Sequence, residues 1–231
     1  MPAESTREAA LTVVTLDGPA GAGKSTTARE VARRLGYRYL DSGALYRALT
    51  HALLEEGIEK AAWPALTRER LDRLGVEVRP GPDTLVLRWR GRDLGPELRT
   101  GEVTSHVSTL ALLPAVRGWL MEKQRDAGSE GRLVADGRDM GTVVFPDAAT
   151  KIFLEAEPRE RARRRLGDLG RSSPTEAEID DEADRLLERD RTDRERAHAP
   201  LRVAEDAWVL DTTSMSFEEQ VEAIVTRARA R

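Results

Sequence analysis

The residues Gly18-Pro-Ala-Gly-Ala-Gly-Lys-Ser25 follow the pattern G-x-x-x-x-G-K-[ST] of a phosphate-binding loop. Their glycines let backbone N–H groups converge on an anion, and a helix beginning at Lys24 adds the positive end of its dipole. In that frame Lys24 reaches the β- and γ-phosphates of a nucleoside triphosphate, and the Ser25 hydroxyl ligates Mg²⁺. The flanks supply the context that the pattern requires. Leu11 to Leu16 is apolar and β-branched, as a buried strand would be. Lys24 to Leu35 carries Ala28, Val31, Ala32 and Leu35 at helical spacing. A nucleotide site is therefore predicted over Gly18, Pro19, Ala20, Gly21, Ala22, Gly23, Lys24, Ser25 and Thr26. The reaction stays open, because kinases, GTPases, motor ATPases and transporters all use such a loop.

Three further stretches carry chemistry. Asp41-Ser-Gly-Ala-Leu-Tyr-Arg47 follows a short predicted strand, Tyr37 to Leu40, and enters a helix. There the Ser42 hydroxyl, the helix-end N–H groups and the Arg47 guanidinium face an anion. The competing reading is an ordinary helix cap with a surface arginine. Asp136-Gly-Arg-Asp-Met-Gly141 also follows a strand, Arg132 to Ala135. Arg138 suits bidentate phosphate binding, Asp139 suits an exocyclic amine, and Asp136 suits either a water-mediated Mg²⁺ or a carboxylate that polarises the loop. A capping turn with a surface ion pair is the alternative. The third stretch is the arginine density at Arg161 to Arg165 and at Arg189, Arg191, Arg194 and Arg196. Guanidinium groups stabilise the charge that builds up during phosphoryl transfer. Solvated helices with i,i+4 ion pairs explain many such residues equally well.

The elements that must position these residues alternate. Strands ending in polar residues are followed by helices, which predicts an α/β fold with a doubly wound parallel sheet, helices on both faces and the active crevice at the strands' carboxyl ends. Helices are expected over Ser42 to Glu56, Trp63 to Leu74, Thr100 to Ala127 with a break at Pro114, Glu160 to Leu169, Glu176 to Glu195 and Ser216 to Arg229. Ser216 and Glu219 form a capping box at the start of the last of these. Val76 to Leu94 has the texture of a small antiparallel meander inserted between helices. Lys151 to Leu154 and Ala207 to Leu210 read as further strands, and Met1 to Ala10 as a frayed lead-in. The chain of 231 residues has a net charge of −4, which argues against a general nucleic-acid binder. It has no cysteine, hence no disulfide or thiolate site, and no apolar run of membrane-spanning length. The N-terminal residues lack a signal-peptide pattern, so the cytoplasm is the expected compartment.

Taken together these stretches resemble the bacterial cytidylate kinase family of nucleoside monophosphate kinases. The resemblance rests on Leu16 to Ser25, Leu40 to Arg47, Leu98 to Val103, Ala135 to Pro146, Lys151 to Leu154, Glu188-Arg-Asp190 and Ala199 to Leu201. It implies a P-loop kinase fold with a small antiparallel insertion in the monophosphate-binding region and a helical lid. The implied division is a core over 11–40, 100–156 and 174–231, a monophosphate-binding region over 41–99 with its insertion at 75–96, and a lid over 157–173. It implies transfer of the ATP γ-phosphoryl group to CMP or dCMP, with Mg²⁺, by a monomer that engages neither nucleic acid nor membrane. Ser42, Arg47 and Arg138 would hold the monophosphate. Ser108, Arg117, Asp139 and Arg196 would read the cytosine end, and Arg189 and Asp193 would contact the sugar. Arg161, Arg164 and Arg165 would belong to the lid, with Arg164 on ATP and Lys24, Arg138, Arg161, Arg165 and Arg196 serving catalysis. Ser25 and Asp136 would serve the metal. Another small-molecule kinase on this fold remains an alternative; a guanine-reading switch would need an N-K-x-D segment, which the sequence lacks.

Overall fold

The computed structural model describes residues 12–81 and 83–230; the lead-in expected at Met1 to Ala10 lies outside them. The strands β1 (Val13–Asp17), β2 (Arg38–Asp41), β6 (Leu133–Asp136), β7 (Thr150–Glu155) and β8 (Trp208–Asp211) form one parallel sheet. Its order is β2-β6-β1-β7-β8, so β1 is central and both neighbours reach it by crossover. Every residue of β1 and β6 is buried, which accounts for their near-continuous apolar runs. Between β2 and β6 the chain makes the expected meander, an antiparallel sheet of β3 (Val76–Pro80), β4 (Leu85–Trp89) and β5 (Arg92–Asp93).

Helices cover both faces of the main sheet. α1 (Lys24–Leu35) and α8 (Phe217–Arg229) bury Ala28, Val31, Val221 and Ile224 against one face. α2 (Ser42–Glu55) and α5 (Pro114–Gly128) pack the other with Leu45, Leu49, Val116 and Leu120, in a core shared with the small sheet. α4 (Gly101–Leu110) precedes α5, and the break falls at Pro114 as expected. A third, smaller apolar cluster joins Ala20 of the phosphate loop to α6 (Pro158–Asp168) and α7 (Glu176–Glu195) through Ala162, Leu166 and Leu186. The capping box expected at Ser216 is present, and Thr175 with Glu178 forms a second one.

One expected helix takes a different form. Instead of a helix over Trp63 to Leu74, a 3₁₀ segment Lys60–Ala65 ends in an extended Leu66, and a short helix α3 (Arg68–Arg73) starts afresh after Thr67. Pro64 lies inside the first segment, where its ring favours the tighter turn, and Thr67 accepts the Arg70 N–H as a new cap.

The carboxyl end of β1 is tied to the loop after β6 by a buried carboxylate. Asp17 accepts the N–H groups of Met140 at 2.9 Å and Gly141 at 2.7 Å. Burial raises its carboxyl to about 6, although those two N–H groups pull it down. The folded chain thus keeps this proton to a higher pH than the unfolded chain does. The group's contribution to stability is present below about pH 4 and is lost as pH rises through about 6. Asp17→Asn cannot ionise. Relative to that variant, the wild type is expected to lose roughly 2–3 kcal/mol between pH 4 and pH 7, measured by chemical unfolding. Parallel stability curves for the two proteins would rule this out.

Candidate active site

The phosphate loop leaves β1 at Gly18, whose φ of +147° and close approach to β7 admit no side chain. A Cβ there would lie 2.2 Å from the Leu154 carbonyl oxygen. Gly23 then caps α1 in the left-handed region at φ 83°. Lys24 folds back over the loop and donates from Nζ to the Pro19 carbonyl at 2.6 Å. Its side chain is buried, and burial together with the Arg138 charge holds its ammonium well below the usual lysine range. The loop is pinned from behind by Asp190 of α7, which is fully buried. One of its carboxylate oxygens accepts the Ala20 N–H at 2.8 Å, and the other accepts Arg161 Nη1 at 2.5 Å.

In front of the loop lies a cleft of about 630 Å³ at the strands' carboxyl ends. The sheet brings the distant stretches together there. Asp41 and Asp136 are paired residues of β2 and β6, each the last of its strand. Asp136 accepts the Ser25 hydroxyl at 2.8 Å and the Tyr39 hydroxyl at 2.7 Å. Burial, followed by the negative charge of Asp41, raises its carboxyl to about 6. Gly137 follows because Ser42 crowds it, and a Cβ would sit 2.6 Å from Ser42 Oγ.

Nine cationic side chains line the cleft against five carboxylates, in a chain whose net charge is −4. The cations are also close to one another. Arg189 is lowered to about 10 by burial and then by Arg138, and its Nε has no hydrogen-bond partner among the described residues. Burial likewise lowers Arg47, which stands 3.9 Å from Asp41. Arg138 donates from Nε to Asp193 at 2.8 Å. Burial acts to raise Asp193, but Arg138, Arg189 and Arg196 outweigh it and hold the carboxyl low. At the far end Arg117 donates to Asp139 and, at 3.2 Å, to the Tyr46 hydroxyl. Arg196 Nη2 lies 3.6 Å from the other Asp139 oxygen, beyond hydrogen-bond reach, and its Nε donates to the Ala199 carbonyl at 2.6 Å. Such a cavity favours ligands with more than one anionic group.

The family model of cytidylate kinase matches residues 14–230. The chain belongs to the cytidylate kinase family. It is 46% identical over 210 residues to a cytidylate kinase of Vibrio vulnificus, covering 91% of this chain and 92% of that one. It is 44% identical over 223 residues to a bifunctional pantoate ligase/cytidylate kinase of Synechococcus sp., covering 95% of this chain. It spans only 45% of that longer relative. Among solved structures, a shikimate kinase from Bacteroides thetaiotaomicron aligns over 95% of this chain and 97% of its own at 15% identity. Its TM-score is 0.49.

Within this cytidylate kinase fold the cleft gathers Ala20, Gly21, Gly23, Lys24, Ser25, Thr26, Ser42, Arg47, Ser108 and Arg117. It also gathers Asp136, Arg138, Asp139, Arg165, Arg189, Asp193 and Arg196. Gly18, Pro19 and Ala22 form the inner side of the loop and are not among its lining residues. Two arginines of the expected lid make their contacts elsewhere. Arg161 is buried and donates to the Ala20 and Ala156 carbonyls and to Asp190, bracing the loop instead of facing its ligand. Arg164 reaches sideways to Glu160 and to the Thr212 side chain and carbonyl after β8. Neither lines the cleft. Asp190 and Arg99 fall within stretches that carry the family resemblance but were given no role there, and Tyr39 and Arg29 were given none either.

Asp190→Ala leaves a buried arginine unpaired and the Ala20 N–H without an acceptor. It is expected to cost about 3–5 kcal/mol of stability in chemical unfolding. It is also expected to raise the KM for the nucleoside triphosphate well above any change for the acceptor. An equal rise for both substrates would contradict the loop-bracing assignment.

Proposed function

We propose that this chain transfers the γ-phosphoryl group of ATP to the α-phosphate of CMP or dCMP, giving ADP and CDP or dCDP. The observation that carries the reading is the two-ended cleft, with a phosphate loop at one end and the Arg117–Asp139 pair at the other, joined by guanidinium groups. Gly21, Gly23, Lys24, Ser25 and Thr26 hold the triphosphate. Ser42, Arg47 and Arg138 hold the acceptor phosphate, for which Asp41 and Asp193 are the arginines' resting partners. Asp139 accepts the exocyclic amine of cytosine, with Arg117, Arg196 and Ser108 around the ring. Arg189 and Asp193 lie toward the sugar.

The acceptor phosphate oxygen is already anionic, so no protein nucleophile or strong base is required. It forms a bond to the γ-phosphorus as the bond to the β,γ-bridging oxygen breaks, and the electron pair leaves with ADP. Lys24, Arg138, Arg165 and Arg189 stabilise the charge between donor and acceptor. The segment 157–173, whose Arg165, Asp168 and Leu169 line the cleft, serves as the lid that excludes water. Among the described residues no cluster of three metal-ligating acids or histidines occurs. The Ser25 hydroxyl and the buried Asp136 carboxylate nevertheless suit Mg²⁺, which takes one or two protein oxygens beside substrate phosphates. When bound there, Mg²⁺ neutralises phosphate charge. Monomeric action in the cytoplasm completes the reading. No helix among the described residues is long and apolar enough to cross a membrane.

Coupled ADP release across CMP, dCMP, UMP, AMP and shikimate tests the activity: CMP and dCMP should far exceed the rest. A clear preference for another acceptor would sink the assignment and favour a different small-molecule kinase. Lys24→Ala should lower kcat by about 10² or more while CMP binding changes little. A variant that turns over like the wild type would remove Lys24 from the chemistry. Asp139→Ala should weaken CMP by about 1–3 kcal/mol and relax discrimination against UMP. An unchanged CMP/UMP ratio would refute base reading by Asp139.

A further inference from the structure

Tyr39 takes no part in the mechanism above and does not line the main cleft. It sits on β2, 2% exposed, two residues before Asp41 on the same strand face. Parallel pairing of Asp41 with Asp136 makes Tyr39 the diagonal neighbour of Asp136, and its phenol reaches along the strands to that carboxylate. The hydroxyl donates to Oδ1 at 2.7 Å while Ser25 donates to Oδ2 at 2.8 Å. Each oxygen of this buried carboxylate is therefore held by a neutral hydroxyl rather than by a cation.

The ring is buried and the main chain that carries it is tied down. The Tyr39 N–H donates to the Asp83 carbonyl at 3.0 Å, and the Tyr39 carbonyl accepts the Thr84 hydroxyl at 3.2 Å. These bonds tie the outer edge of β2 to the small sheet, and the Arg29 guanidinium stands 5.4 Å from the ring centroid. A carboxylate with one oxygen clamped by a rigid donor cannot rotate, so Oδ2 stays directed at Ser25 and the mouth of the phosphate loop.

We propose that Tyr39 is a positioning residue for Mg²⁺, its hydroxyl fixing the Asp136 carboxylate in the orientation in which it serves the ion with Ser25. The proposal rests on the Mg²⁺ reading given above. Outer partners of metal ligands act in this way, and their loss lowers metal affinity 10–100-fold.

Calorimetry of ADP binding to the full chain, with and without Mg²⁺, tests it on wild type, Tyr39→Phe and Asp136→Asn. The phenylalanine keeps the packing and removes only the donor. Mg²⁺ should tighten ADP binding to the wild type, and Asp136→Asn should abolish that gain. Tyr39→Phe should reduce the gain about tenfold or more. Its Mg²⁺-free ADP affinity and its CMP affinity should stay within about twofold of the wild type. A full Mg²⁺ gain in Tyr39→Phe overturns the role of Tyr39. So does a parallel loss of Mg²⁺-free ADP and CMP binding, which marks a folding defect. If the wild type shows no Mg²⁺ gain, or Asp136→Asn retains it, the underlying Mg²⁺ reading fails instead.

Discussion

Positive charge held close to positive charge, partly withdrawn from water, is the constraint on which the rest of the structure depends. Arg47, Arg138, Arg165 and Arg189 converge on the space between the phosphate loop and the start of α2, and burial together with mutual repulsion pulls Arg189 down to about 10. Such an arrangement is unfavourable without an anion, because desolvated like charges repel in a weakly screening interior. It persists because the residues carrying the charge are anchored elsewhere. The apolar cluster of Ala162, Leu166, Ile179, Ala183 and Leu186 packs α6 on α7, and Asp190 ties that pair to the phosphate loop.

Carboxylates moderate the strain without removing it. Asp193 takes Arg138, Asp139 takes Arg117, and Asp41 stands between Arg47 and Arg99 at 3.9 and 3.8 Å. Each aspartate occupies a guanidinium face that suits a phosphate or a pyrimidine edge. The cleft therefore keeps its arginines extended and pre-oriented, and part of the entropic cost of ordering them is met during folding. In the proposed reading the phosphate loop and the arginine wall are two halves of one clamp, the donor end recognised by backbone geometry and the acceptor end by side-chain charge.

Much of this was legible in the sequence because it is written locally. The loop from Gly18 to Ser25, the capping box at Ser216 and Glu219, and the break at Pro114 each depend on residues a few positions apart. The alternation of buried strands with amphipathic helices gave the doubly wound sheet in the same way. What escaped was written across the chain. Asp190 meets Ala20 from 170 positions away, Asp17 meets Met140 from 123 and Tyr39 meets Asp136 from 97, and no local spacing encodes such pairs. Arg161 illustrates the limit well. A run of arginines predicts positive charge, but helical phase and a buried aspartate decided that this one braces the loop while Arg165 faces the cleft.

If converging cations organise the site, the acceptor phosphate must carry most of the acceptor's affinity. The direct measurement is calorimetric binding of CMP and of cytidine to the same protein. Two or three charge-assisted hydrogen bonds to the phosphate predict CMP binding about 100-fold or more tighter than cytidine, with the advantage shrinking as salt rises. Equal affinities for the nucleotide and the nucleoside would contradict the account.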